Sequence, residues 1–195
     1  MSVAFVAVFA VLAVLAVLAA PAAAQQGPGG GRGAQLPAGY RRMQLSDLER
    51  ERAMTLAMLD SMPERLLHFK PVPEVRDFMQ QIAHAALPVG AYAATAMGAR
   101  PPAVGDSVAY LNNKVALRDA VNRSYDYAIS AVRGMSNPDY QGTVMFFGRA
   151  TPRWKVFAAA LEHSTWTRGE LVAYFRLNGM VPPAFQLFPA APGER

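Results

Sequence analysis

Apolar residues recur at helical spacing in four separate stretches of the chain, and no stretch of comparable length alternates between apolar and polar positions. Spacings of three and four residues place side chains on one face of an α-helix, whereas alternation is typical of strands. The pattern therefore predicts an all-α fold. Four long amphipathic helices that share one core predict a four-helix bundle.

The first predicted helix begins at Ser46, whose side chain and that of Glu49 have the spacing of a capping box, and it ends near Met62. Glu49, Glu51 and Arg52 are predicted to lie on its solvent face. Its apolar face is formed by Leu48, Met54, Leu56, Met58 and Leu59.

The second predicted helix begins near Pro73 and ends at Pro88, because proline lacks the N–H that a helix interior needs. Val75, Phe78, Ile82 and Ala85 or Ala86 recur at helical spacing and form the predicted core face. His84 lies on an adjoining, more polar face. The segment 90–106, rich in small residues and broken by Gly and Pro, is predicted to be a short helix and loop or a lid.

The third predicted helix runs from Asp106 to Arg133, where Gly134 and Asn137-Pro138 end it. Residues 135–150 form a predicted connection without regular structure. The apolar stripe of this helix consists of Val108, Leu111, Val115, Val121, Tyr125, Ile129 and Val132.

The fourth predicted helix runs from Pro152, preceded by Thr151 as its N-cap, to Asn178. Gly179 suits the left-handed conformation that ends a helix, and two prolines follow. One stripe contains Val156, Ala160, His163, Thr167, Leu171 and Tyr174. His163 and Thr167 are therefore both expected to face the core.

Two histidines four residues apart would form a metal-binding pair, but Thr167 offers only a neutral hydroxyl in place of the second imidazole. His163 therefore has two interpretations, a hydrogen-bonded core residue or a ligand of a degenerate site. In the second, water or Glu170 completes the site; otherwise Glu170 pairs with Arg168 or Arg176 at the surface. His68, among prolines between the first two helices, is not expected to reach this site.

Aromatic residues cluster before and within the fourth predicted helix. Met145 to Phe147, Trp154 and Trp166 are expected to pack in the core, with a ligand cavity as the alternative.

Residues 1–24 carry no charged side chain and close on an Ala-Ala-Ala cleavage pattern. They predict a signal peptide cut near Ala24, with an uncleaved membrane anchor as the alternative. We expect the protein to be exported, to the periplasm or beyond. A flexible Gly/Pro-rich linker is expected over 25–44, the helical domain over 45–188 and a flexible tail over 189–195.

Composition excludes several classes of protein. The absence of cysteine excludes disulfides and a thiol nucleophile. The net charge of +5 is spread along the chain, which indicates a solvated surface and no nucleic-acid partner.

Two separated segments are similar to motifs of the DinB-like (DinB/YfiT-type) family of metalloenzymes. They are LDSMPERLLHFKPVPEVRDFMQQIAHAA, residues 59–86, and HSTWTRGELVAYFRLNGMVPP, residues 163–183. The resemblance implies a four-helix bundle, dimerisation, and a divalent metal held by one histidine of helix two and two of helix four. His84 matches the first ligand and His163 the second, Thr167 stands where the third is expected, and Glu170 replaces a glutamine.

Family members of known activity include thiol S-transferases that hold a thiolate on the metal. With one ligand missing, we expect a binding or interaction module for an unknown small molecule or protein, with zinc or nickel weakly bound or absent. The alternative is a metal-dependent hydrolase or transferase that uses His84, His163 and either water or Glu170. The sequence leaves open whether the protein is an enzyme.

Overall fold

The computed structural model describes residues 36–187, so the predicted leader, most of the predicted linker and the tail lie outside the described residues. The elements in chain order are α1 (Tyr40–Ser61), a short 3-10 helix (Glu64–Leu66), α2 (Phe78–Met97), α3 (Ser107–Asn112), α4 (Lys114–Gly134), α5 (Asn137–Gln141), β1 (Thr143–Phe146), β2 (Arg149–Pro152) and α6 (Arg153–Arg176). No helix in this range is long and apolar enough to cross a membrane.

The predicted helical class is confirmed for most of the described chain. Four helices, α1, α2, α4 and α6, have 20 or more residues each. α2 is central, since it packs along both α4 and α6, and α1 closes the other side against the same two helices. The largest fully buried side chains include Tyr125, Phe78, Phe157, Phe175, Leu48 and Leu59.

Helix α1 begins at Tyr40, six residues before its predicted start. The predicted capping box at Ser46 is therefore wrong, and the last residues of the predicted linker are helical. Gln44 is almost fully buried here. Its amide donates to the Trp154 carbonyl and accepts from the Tyr140 hydroxyl, so burial leaves these polar groups satisfied.

Glu51 was predicted to face solvent, and this prediction is wrong. The side chain is only 1% exposed and forms a two-pronged ion pair with Arg168 of α6, at 3.1 and 3.2 Å. A buried carboxylate is tolerated when a cation and hydrogen bonds compensate for the lost hydration. The pair joins α1 to α6 one residue from Thr167.

Helix α2 begins at Phe78 rather than near Pro73, and Val75 is exposed instead of forming part of the core. Asp77 and Gln80 form the capping box that starts it. The helix does not stop at Pro88 but continues to Met97. Its small apolar residues are buried on both sides of the proline, so tertiary packing overrides the local penalty.

The third predicted helix is in fact two helices, because Asn113 adopts an extended conformation and caps α4. Val108 and Val115 are exposed, contrary to prediction, and each is the second residue of a separate helix rather than part of one continuous stripe. The later part of the stripe is buried as predicted, at Val121, Tyr125, Ile129 and Val132.

A β-hairpin occupies part of the connection that was predicted to be irregular. β1 and β2 pair antiparallel, with Val144 opposite Thr151, through a two-residue turn. The turn residues Phe147 and Gly148 both have positive φ, 45° and 75°, as a type I′ turn requires. Because Thr151 lies in β2, it does not cap α6, which follows Pro152 directly.

Candidate functional site

His84 of α2 and His163 of α6 lie side by side. Their ring centroids are 5.1 Å apart and the ring planes are inclined by 78°. The two residues are 79 positions apart in the chain, and the close packing of α2 along α6 brings them together. Both side chains are partly exposed, so the pair faces solvent-accessible space rather than the closed core.

Both imidazoles are held in the neutral form. Burial lowers the pKa of His84 below its ordinary value of 6.5, and the positive charge of Arg76, together with that of His163 whenever His163 is protonated, lowers it further. Burial and Arg76 likewise lower the pKa of His163. The Glu170 carboxylate acts in the opposite direction on both. Neutral imidazoles carry a lone pair that can accept a hydrogen bond or bind a metal.

Thr167 is buried on the same side of α6 as His163, as predicted. Gln81 of α2 donates to the Thr167 carbonyl at 3.0 Å and to a Glu170 carboxylate oxygen at 2.6 Å. Glu170 is therefore held by an amide of α2, whereas Arg168 is occupied by Glu51.

The three-ligand metal site that the resemblance implies does not fit the described residues. Within 36–187, no group of three His, Cys, Asp or Glu side chains is placed to hold a metal ion. His68 makes a separate contact with Asp77, at 3.1 Å, and is more than half exposed. The Nδ1 atom of His163 is buried and has no hydrogen-bond partner within the described chain.

A cleft of about 740 Å³ opens beside His84. We call it the α2 cleft. Its polar end is formed by Arg76, Gln80 and His84, at intervals of four residues. Its apolar walls include Leu87, Pro88, Pro101, Pro102, Val104 and Leu111.

A smaller cavity of about 290 Å³ adjoins His163 on the other side of the pair. We call it the aromatic pocket, and its walls include Tyr92, Phe146, Phe147, Glu162, His163 and Trp166. The expectation that this cluster belongs to the core is wrong for Met145, Phe147 and Trp166, which are 61%, 78% and 77% exposed. Trp154 instead packs edge-on against Tyr40.

Sequence reasoning did not single out Arg76, Gln81 or Tyr92. Helical spacing could have identified two of them, because Gln81 precedes His84 by three residues and Tyr92 follows it by eight, which places them on a similar side of one helix. That Tyr92 belongs to the same helix was hidden by Pro88, which was taken as the helix end.

Comparison with known proteins supports the resemblance. The family model described as the DinB superfamily matches residues 47–170. The chain belongs to the DinB superfamily. A crystal structure of a DinB-like protein from Bacillus cereus ATCC 10987 is similar to this superfamily member with a TM-score of 0.65 and 16% sequence identity. The similarity covers 74% of this chain and 97% of the other, and it concerns the fold alone. None of the curated proteins matches the chain.

Proposed function

We propose that this DinB-superfamily protein is a binding module that holds a small organic molecule in the α2 cleft, with His84 as a contact residue. The observation that carries the proposal is the cleft itself. Its volume of about 740 Å³ lies within the ~300–1,000 Å³ range of small-molecule sites. Such sites combine mostly apolar walls with a few convergent polar groups, as this cleft does.

The polar end of the cleft suits an acceptor or anionic group. Arg76 is exposed, and no carboxylate within the described residues lies at ion-pair distance from it. A guanidinium binds carboxylate, sulfonate or phosphate oxygens through two parallel hydrogen bonds. His84, held neutral, supplies one donor or one acceptor beside it.

The length and walls of the cleft suit an apolar body behind that head group. From Gln80 to Ala91 the lining residues follow α2 over about 16 Å, at ~1.5 Å per residue. The loop after α2 covers the groove with two prolines, Pro101 and Pro102, which are rigid and apolar. The proposed ligand is therefore an amphipathic molecule with an anionic end.

Anilinonaphthalene sulfonate is a suitable probe, since it combines an aromatic apolar body with one anionic group. We expect saturable fluorescence enhancement at one probe per chain. Arg76→Ala should weaken binding by about tenfold, equivalent to one charge-assisted hydrogen-bonding group. Ala91→Trp should abolish binding by filling the cleft.

Arg65→Ala is the matched control, because Arg65 is also exposed but does not line the cleft. Its affinity should equal that of the parent. Unchanged binding in both Arg76→Ala and Ala91→Trp would contradict the proposed site.

A metal-dependent hydrolase or transferase is the second candidate, favoured by the geometry of the histidine pair. Two imidazoles on one tetrahedral ion, with ligand bonds near ~2.1 Å, have ring centroids about 5 Å apart. The observed separation is 5.1 Å, and the buried Nδ1 of His163 has no partner within the described chain. A bound divalent ion would supply Lewis-acid chemistry.

In that case His84 and His163 would be the ligands, and Gln81 would hold Glu170 beside them. Metal analysis of protein purified without an affinity tag, after equilibration with micromolar zinc, tests this candidate. One ion per chain, lost in His163→Ala, supports it. Substoichiometric metal in the parent rejects it.

Export is also part of the proposal. It is supported by the uncharged, apolar composition of residues 1–24 and the small-residue pattern at their end. Mass spectrometry of the protein from its native host should give a mature chain that begins at Gln25. An intact chain that begins at Met1 and sediments with membranes would favour the anchor instead.

A further inference from the structure

We propose that the aromatic pocket beside His163 binds an organic cation of the quaternary ammonium class. The cation would be held over the rings of Tyr92, Phe147 and Trp166 and would be paired with the carboxylate of Glu162. This site is separate from the α2 cleft, since the two cavities share no lining residue.

Three elements bring the aromatic rings together. Tyr92 comes from α2, Phe146 and Phe147 come from the hairpin, and Trp166 comes from α6. On α6, Trp166 follows His163 by three residues and Glu162 by four, so its side chain lies on the same side of the helix as both. The hairpin and α2 form the opposite wall.

The rings of Tyr92, Phe146 and Phe147 pack edge to face and form one continuous aromatic wall. The Phe146 and Phe147 centroids are 4.5 Å apart, and the Tyr92 ring lies 5.1 Å from the first and 6.0 Å from the second. The planes are inclined to one another by 61° to 81°. This wall borders a cavity of about 290 Å³ that Trp166 lines from α6, and the faces of aromatic rings beside a small cavity attract alkylammonium groups.

The backbone conformation of Phe147 supports a role of its ring in ligand binding. Its φ of 45° lies in the left-handed region, which bulky residues rarely adopt. Asn, Asp or Gly would fit this turn position with less strain. The chain instead places a phenylalanine there and leaves its ring 78% exposed at the pocket. Strain of this kind is often found at ligand sites.

The local charge favours a cation. Glu162 is exposed, and it has no ion-pair partner within the described residues. Arg149 and Lys155 line an adjoining hollow that shares Phe146, Phe147 and Ala159 with this pocket, but they do not line the pocket itself.

The two tryptophans of the chain provide a direct assay. Trp154→Phe leaves Trp166, in the pocket wall, as the only tryptophan. In this background we would titrate choline chloride at constant ionic strength and follow tryptophan fluorescence. Dimethylbutanol, the neutral carbon isostere of choline, serves as the matched ligand control. Choline should bind at least tenfold more tightly than the alcohol.

Two further substitutions test the assigned residues. Phe147→Asn keeps a turn residue that accepts positive φ, so the hairpin should fold, and choline binding should be lost. Glu162→Gln should weaken binding by about three- to tenfold, whereas Glu64→Gln, at an exposed site outside the pocket, should not.

Three results would each overturn the inference: equal affinity for the alcohol, unchanged choline binding in Phe147→Asn, or no saturation by about 100 mM choline. None of them bears on the α2 cleft, whose test depends on Arg76 and Ala91.

Discussion

Replacing Thr167 by histidine adds a third imidazole four residues after His163, on the inward side of α6. Thr167 is only 4% exposed, so the larger side chain must displace packed neighbours. Overpacking of this kind costs about 1–3 kcal/mol. For a domain of this size, each kcal/mol corresponds to about 2–4 °C in Tm. Without metal, the variant should therefore melt about 2–12 °C below the parent.

Zinc should reverse this loss in the variant. A ligand that binds only the folded state at one hundred times its Kd stabilises that state by about 2.7 kcal/mol. That energy corresponds to a rise in Tm of about 5–11 °C. The parent has two histidines at this place and no three-ligand group within the described residues, so its zinc response should be much smaller.

The assay is thermal unfolding followed by circular dichroism, with zinc and with a chelator. Thr165→His is the matched control, because Thr165 is exposed and two residues from His163, which places it on another face of α6. It should show neither the loss of stability nor the zinc response. An equal zinc shift in the parent and in Thr167→His would refute the reasoning, as would the absence of any shift in the variant.

Two other predictions concern stability. Glu51→Gln should lower the free energy of unfolding by about 3–5 kcal/mol in urea titrations, because it leaves the buried Arg168 uncompensated; a loss below about 1 kcal/mol would contradict this. Stability should also fall as the pH drops below about 6.5, since the unfolded chain takes up protons that His84 and His163 resist in the fold. Replacing both histidines by asparagine should remove most of the change in Tm between about pH 7.5 and 5.5, whereas His68→Asn should leave that change in place. If Tm depends on pH in the double variant as it does in the parent, this cause is rejected.

The sequence predicted the site best where it depends on helical spacing. The stripe on α6 identifies its buried face, since Ala160, Thr167 and Leu171 are buried as expected. His163, expected to face the core as well, is only partly buried. The prediction that His84 lies beside His163 came from the family resemblance, because spacing within one helix does not identify a contact residue on another helix.

The failures have physical causes. A charged residue such as Glu51 is predicted to lie at the surface unless its ion-pair partner is known. That partner, Arg168, is 117 positions away in the chain. Pro88 predicts the end of a helix, yet buried apolar residues before and after it keep α2 continuous. The hairpin was missed because its strands have only four residues each and its turn carries Phe147 in place of the usual Asn or Asp.

The most direct test of the proposed binding module is a heteronuclear NMR spectrum of the three imidazoles, recorded with and without anilinonaphthalene sulfonate. We expect His84 to be neutral at pH 7, and we expect saturating probe to shift the resonances of its ring nitrogens while leaving those of His68 unaffected. An unmoved His84 at saturation would contradict the proposed site. Stoichiometric zinc that shifts His84 and His163 together would instead establish the metal centre.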